Sequence, residues 1–128
     1  YMDKPNSGIV LRCGSLGCLM IESKIFECKW FPAYYDSKIN PEKIIDPTGC
    51  GNTFVGAFAT AYVKYNKDFE LACIYATIAS GACLEQHGLP KISKDKNGND
   101  LWNGISFKER LINYINKNQI TKKIIIDD

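Results

Sequence analysis

Asp46-Pro47-Thr48-Gly49-Cys50-Gly51-Asn52-Thr53-Phe54 joins a short apolar run, Ile44-Ile45, to a segment with helical periodicity. In that segment Phe54, Phe58, Tyr62 and Tyr65 recur at helical spacing, with Ala57 and Ala61 between them and no proline before Asn66. The pattern predicts a mostly buried helix opening at about Asn52. Two glycines at the mouth of a helix let the backbone turn its amides outward with no Cβ in the way. The helix N-terminus adds about half a positive charge, so an anion such as phosphate is stabilised there. An ordinary glycine-rich strand-to-helix loop has the same composition. Two familiar phosphate motifs fail: Gly51 and Gly56 have Walker A spacing, but Ala57 and Phe58 stand where Lys and Ser/Thr are required, and Phe54 occupies the third glycine of a G-x-G-x-x-G.

Upstream, Ile9-Val-Leu-Arg-Cys13 and Cys18-Leu-Met-Ile-Glu22 are short aliphatic runs separated by Gly14-Ser-Leu-Gly17, which predicts a hairpin. From Ile25 to Trp30 charged Glu27 and Lys29 alternate with Phe26, Cys28 and Trp30, the period of a half-buried strand, and Phe31-Pro32 ends it. Ala33 to Lys43 reads as a loop leading to a short strand at Ile44-Ile45. Downstream, Asp68 is an N-cap for a second helix running to about Leu84, with Leu71, Ile74, Tyr75 and Ile78 on one side and Ala72, Ala76, Ala79 and Cys83 on another. His87-Gly88-Leu89-Pro90 closes it. Lys91 to Gly104 reads as a polar loop with a lone Leu101-Trp102. Ser106-Phe-Lys-Glu109 is a capping box, and Leu111, Ile112 and Ile115 give a last helix its apolar side, ending near Asn118. The tail from Ile120 to Ile126 reads as a frayed end or an edge strand.

With 128 residues, 45% of them hydrophobic and 23% charged, the chain can bury one ordinary core. Sixteen basic against fourteen acidic side chains leave a net charge of +2, too balanced for counterion-driven nucleic-acid binding or attachment to an anionic membrane. No stretch is apolar enough to span a bilayer, so the expectation is a soluble protein. The N-terminal residues, Tyr1 to Gly8, carry no signal-peptide pattern and read like a chain cut from something longer. Six cysteines at 13, 18, 28, 50, 73 and 83 and a single histidine, His87, have no zinc-site spacing. Their even number allows disulfides, but Cys73 and Cys83 fall in an apolar helical pattern where cysteine acts as a small hydrophobe, and a reducing cytoplasm is expected.

The run from Asp46 to Phe54, D-P-T-G-C-G-N-T-F, closely resembles the D-T-T-G-A-G-D-T-F signature near the C-terminus of PfkB (ribokinase-like) carbohydrate kinases. The resemblance extends, in order, from Ile9 to Pro90. Val10-Leu-Arg-Cys-Gly14-Ser-Leu-Gly17 is similar to the family's strand and glycine turn, Leu71-Ala72 with Ala76 to Gly81 to its small-residue helix, and His87-Gly88-Leu-Pro90 to its closing turn. Pro47, Asn52 and Leu101-Trp-Asn-Gly104 look most like the fungal branch implicated in maintenance of killer virus.

The resemblance implies an α/β fold, a ribokinase-like three-layer α/β/α sandwich of which this chain is the C-terminal part. Residues 1–118 would belong to the kinase-like domain and 119–128 would form a tail. It implies an anion hole built from the amides of Gly49, Cys50, Gly51 and Asn52, an adenine pocket flanked by Thr77, Ala79 and Ser80, and a monovalent-cation role for Asp46. Simpler roles stand beside these: helix packing for Thr77, Ala79 and Ser80, and a turn aspartate for Asp46. ATP and Mg2+ are the implied cofactors, and adenine nucleotide and a sugar-like alcohol the implied small-molecule partners. In active members the position of Asn52 is an aspartate acting as general base, and an amide does not accept a proton at neutral pH. Sugar recognition in the family comes from an N-terminal part that nothing here resembles. An impaired kinase, a non-catalytic nucleotide-binding or interaction protein, and an inactive fragment are therefore all consistent with the sequence.

Overall fold

The computed structural model describes residues 4, 7–23, 28–122 and 124. Strand β1 (Gly8–Arg12) pairs antiparallel with β2 (Cys18–Glu22), in a register that sets Gly8 opposite Glu22 and Arg12 opposite Cys18. Strand β3 (Cys28–Phe31) pairs with the other edge of β2, Cys18 facing Phe31. The hairpin expected from the two aliphatic runs is therefore present. Of the strand expected from Ile25, residues 25–27 lie outside the described residues, and the observed strand ends at Phe31. Alternation along β2 turns Cys18 and Met20 into the core, where Phe31 joins them. On β1, Ile9 and Leu11 remain largely exposed.

Helix α1 (Cys50–Lys64) and helix α2 (Phe69–Leu84) follow and pack along each other. The Leu71 amide donates to the Asp68 carboxylate at 2.9 Å, the cap expected for α2. Helix α2 is buried on nearly every side: Ala72, Cys73, Ile74, Ala76, Ile78 and Ala82 have no exposed surface. Its small residues let sheet and helices approach closely, and each of its large aliphatic side chains contributes about 1.5–3 kcal/mol by leaving water.

Helix α1 is less buried than its periodicity predicts. Only Phe54 and Ala61 lie in the core, while Val55 is 56% and Val63 80% exposed. The apolar stripe that does pack is aromatic. Phe54, Phe58 and Tyr62 stack in turn with centroids 6.5 and 5.9 Å apart, and Phe69 tilts against the last two.

Two expectations about irregular segments are corrected. Ile44-Ile45 forms no strand. Ile44 ends a short 3-10 turn, and the amides of Ile45 and Asp46 both donate to the Leu84 carbonyl, so a helix end satisfies the donors that a strand partner would have taken. Lys91 to Gly104 is not a plain loop: β4 (Ile92–Lys94), β5 (Asp100–Trp102) and β6 (Ile105–Ser106) form a second antiparallel sheet in that order. Its first turn is tied by Asp95, whose carboxylate accepts the amides of Asn97 and Asn99.

Helix α3 (Phe107–Lys117) starts at Ser106, whose hydroxyl accepts the Glu109 amide. The described residues beyond it, 119–122 and 124, form no strand. Ile120 and Ile124 pack on the core, and the Lys122 ammonium reaches Asp68 at 2.7 Å. Every strand pair among the described residues is antiparallel.

Candidate functional site

A cavity of about 710 Å3 opens between the β1–β2 turn, the segment around Tyr34 and Tyr35, the first turn of α1 and the C-terminal half of α2. Its size falls in the range of small-molecule pockets. Among the described residues that line it, Arg12 is the one that is charged.

The turn into α1 is shaped by Gly49, whose φ of 84° is left-handed backbone that other residues adopt at a cost. The Cys50 amide donates back to the Pro47 carbonyl at 3.2 Å, and the Thr53 amide donates to the Gly49 carbonyl at 2.9 Å. Between them, the amides of Gly51 and Asn52 have no acceptor among the described residues. These are the open donors of a 15-residue helix, at the end where the backbone dipole is positive.

Helix α2 fixes this turn. The Ser80 hydroxyl of α2 donates to the Cys50 carbonyl at 3.3 Å, and the Cys83 sulfur lies 3.6 Å from the Thr48 carbonyl. The Asp46 carboxylate accepts the Thr48 amide at 2.9 Å with one oxygen, and its other oxygen lies 3.1 Å from the His87 ring nitrogen. The Thr48 amide first, and His87 after it, hold the Asp46 carboxyl down to about 2. The Cys50 thiol is pushed up to about 11, by burial first and then by the neighbouring Cys83 thiol. It is protonated at neutral pH and is no nucleophile.

The residues singled out in the sequence are distributed unevenly around this cavity. Cys50 and Gly51 line one wall and Thr77 and Ser80 another, so the structure brings these four together. Gly49 shapes the turn just outside. Asn52 is exposed on the first turn of α1 and does not line the cavity. Ala79, 3% exposed, faces away from Thr77 and Ser80 and lines a separate groove with Thr53, Tyr75 and Trp102. Among the described residues, no group of three or more His, Cys, Asp or Glu is placed to hold a metal ion.

Arg12 is the site residue that the sequence reading passes over. Its guanidinium donates to the Gly51 carbonyl at 2.7 Å across 39 residues of sequence. The available signal was a cation in an otherwise aliphatic strand. Tyr34 and Tyr35 line the cavity as well, from the segment that reads as a polar and aromatic loop.

Residues 5–96 match the family model described as pfkB family carbohydrate kinase. The chain is 37% identical to Protein MAK32 of Saccharomyces cerevisiae, over 97% of its own length and 33% of that protein's. It is 34% identical to an uncharacterized protein of Schizosaccharomyces pombe, over 83% of the chain and 32% of that protein. A bifunctional ribokinase/ribose-5-phosphate isomerase A of Fructilactobacillus sanfranciscensis is 29% identical over 64% of the chain and 13% of that protein. The chain thus spans about a third of the length of the two fungal relatives. No solved structure matches it. No helix of the described residues is long and apolar enough to cross a membrane.

Proposed function

The chain belongs to the pfkB family of carbohydrate kinases, and from that premise we propose that it is the adenine-nucleotide-binding part of such a kinase. Its fold is the ribokinase-like α/β fold of that family. In the proposal, residues 1–118 belong to the C-terminal part of a three-layer α/β/α kinase domain and 119–128 form its tail. ATP places its phosphates at the Gly49–Asn52 turn, and the rest of the nucleotide lies along Thr77 and Ser80. The whole protein acts in the cytoplasm on a sugar-like alcohol that segments outside this chain recognise, with no nucleic-acid or membrane partner.

The observation that carries this reading is the cavity itself. Gly51 with its open amide and the Arg12 cation stand at one end, and a wall of small and aromatic side chains reaches away from them. The residues present suit a nucleotide: the first turn of α1 offers donors to anionic oxygens, and the apolar wall suits a planar base. They do not supply ligands for Mg2+, because no carboxylate among the described residues lines the cavity. Asp46 is committed to Thr48 and His87. Its proposed work is to hold the turn, and a monovalent-cation role would have to share it with His87.

Asn52 sets the chemistry. Its side chain is exposed at the helix opening and does not take a proton at neutral pH, so the chain's contribution to phosphoryl transfer is positioning and charge stabilisation, without a general base at this position. That favours a slow kinase or a non-catalytic nucleotide-binding protein. Loss of a general base typically costs roughly 10²- to 10⁴-fold. A coupled ADP-release assay on the full-length protein, across a panel of sugars and nucleosides at saturating ATP and magnesium, tests the reading. Asn52→Asp should raise turnover on the order of 10²-fold or more. A wild type already as fast as its Asp variant would contradict an impaired site.

A further inference from the structure

We infer that Arg12 is the phosphate-sensing residue of the cavity, the side chain by which the site distinguishes a nucleoside polyphosphate from the bare nucleoside. This deepens the nucleotide reading and rests on it. Arg12 ends β1 and crosses to the turn, where one guanidinium nitrogen donates to the Gly51 carbonyl at 2.7 Å. No carboxylate among the described residues pairs with it, and Arg12 is exposed and lines the cavity. A guanidinium held by a single neutral acceptor keeps most of its fork of donors for a ligand. A phosphate takes two of them at once with a geometry that a lysine cannot match.

The identity of residue 51 supports this. Gly51 lies inside α1, outside the left-handed region, so its backbone does not call for glycine. A Cβ built on it would stand 2.6 Å from the Arg12 terminal nitrogen. The glycine therefore makes room for the guanidinium to lie against the first turn of the helix. That placement holds the cation against the first turn of the helix whose Gly51 and Asn52 amides are open.

The test uses the full-length protein, with ATP and adenosine each titrated calorimetrically into wild type and Arg12→Met, and folding checked by circular dichroism. Arg12→Met should lose roughly 10- to 100-fold in ATP affinity and leave adenosine affinity unchanged. Arg12→Gln can still donate to the Gly51 carbonyl but carries no charge, and it should show the same selective loss. It also makes the comparison should the Met variant fail to fold. Wild-type ATP affinity in a folded Arg12→Met or Arg12→Gln overturns the inference while leaving the nucleotide reading intact. Equal losses for ATP and adenosine also overturn it, because Arg12 would then act only through the shape of the turn. A wild type that binds neither ligand overturns the nucleotide reading and this inference with it.

Discussion

Arg110 on α3 forks onto Glu85 at the end of α2, its second terminal nitrogen 2.9 Å from Glu85 Oε2, with the arginine side chain fully buried and the glutamate's 11% exposed. Asn103 and Tyr35 donate to the same carboxylate, and Arg110 also donates to the Trp102 carbonyl. One ion pair thereby joins α2, α3, the second sheet and the segment at the cavity wall. Burial works to raise the Glu85 carboxyl, but the hydrogen bonds from Arg110, Tyr35 and Asn103 outweigh it and hold it below the usual carboxylate range.

Removing one partner of such a pair leaves the other charge stranded. Arg110→Leu should destabilise the protein by about 3–5 kcal/mol, and Glu85→Leu combined with Arg110→Leu should recover part of that. Urea denaturation of the single and double variants checks both expectations. A single variant within about 1 kcal/mol of wild type would show that the pair is not buried in solution.

Much of the helical frame is legible locally. Asp68 and Ser106 are caps that announce themselves one turn ahead of their apolar runs, and both accept the amides expected of them. The hairpin is equally plain, since two aliphatic runs flank Gly14 and Gly17. Three things are not legible. The strands of the second sheet are two or three residues long, too short for alternation to register among asparagines, glycines and lysines. The exposure of Val55 and Val63 cannot be read from a period that places apolar residues all around the helix. Arg12 with Gly51 and Glu85 with Arg110 are pairs 39 and 25 residues apart, and no local rule brings them together.

The two glycines of the turn should behave oppositely. Gly49 needs its positive φ and has room for a methyl, with Cys83 Sγ 3.7 Å from the added carbon. Gly49→Ala should therefore cost about 1–2 kcal/mol through backbone strain. Gly51 is ordinary helix, so Gly51→Ala should change stability by less than about 1 kcal/mol. It should nonetheless weaken ATP binding, by displacing the Arg12 guanidinium. Thermal melts paired with ATP titrations of the full-length variants separate the two effects. Equal destabilisation by both changes would contradict this assignment of the turn.

The Asp46 carboxyl should titrate near 2 instead of 3.8, and its replacement by asparagine should remove that transition. The folded value is the lower one. The carboxylate's stabilising contribution is therefore fully present above the ordinary value and lost as pH falls toward 2. His87→Ala should raise the value only in part, because the Thr48 amide is the larger cause. Carbon-detected NMR titration of the carboxyl carbons measures this. A titration near 3.8 would mean that the Thr48 hydrogen bond does not persist in solution.

The most direct measurement is a crystal structure of the full-length protein with a non-hydrolysable ATP analogue. The phosphates should sit on the Gly51 and Asn52 amides with Arg12 against them, and the base should lie in the cavity beside Thr77 and Ser80. An analogue bound elsewhere, with the Gly49–Asn52 turn and the cavity unchanged, would contradict the account.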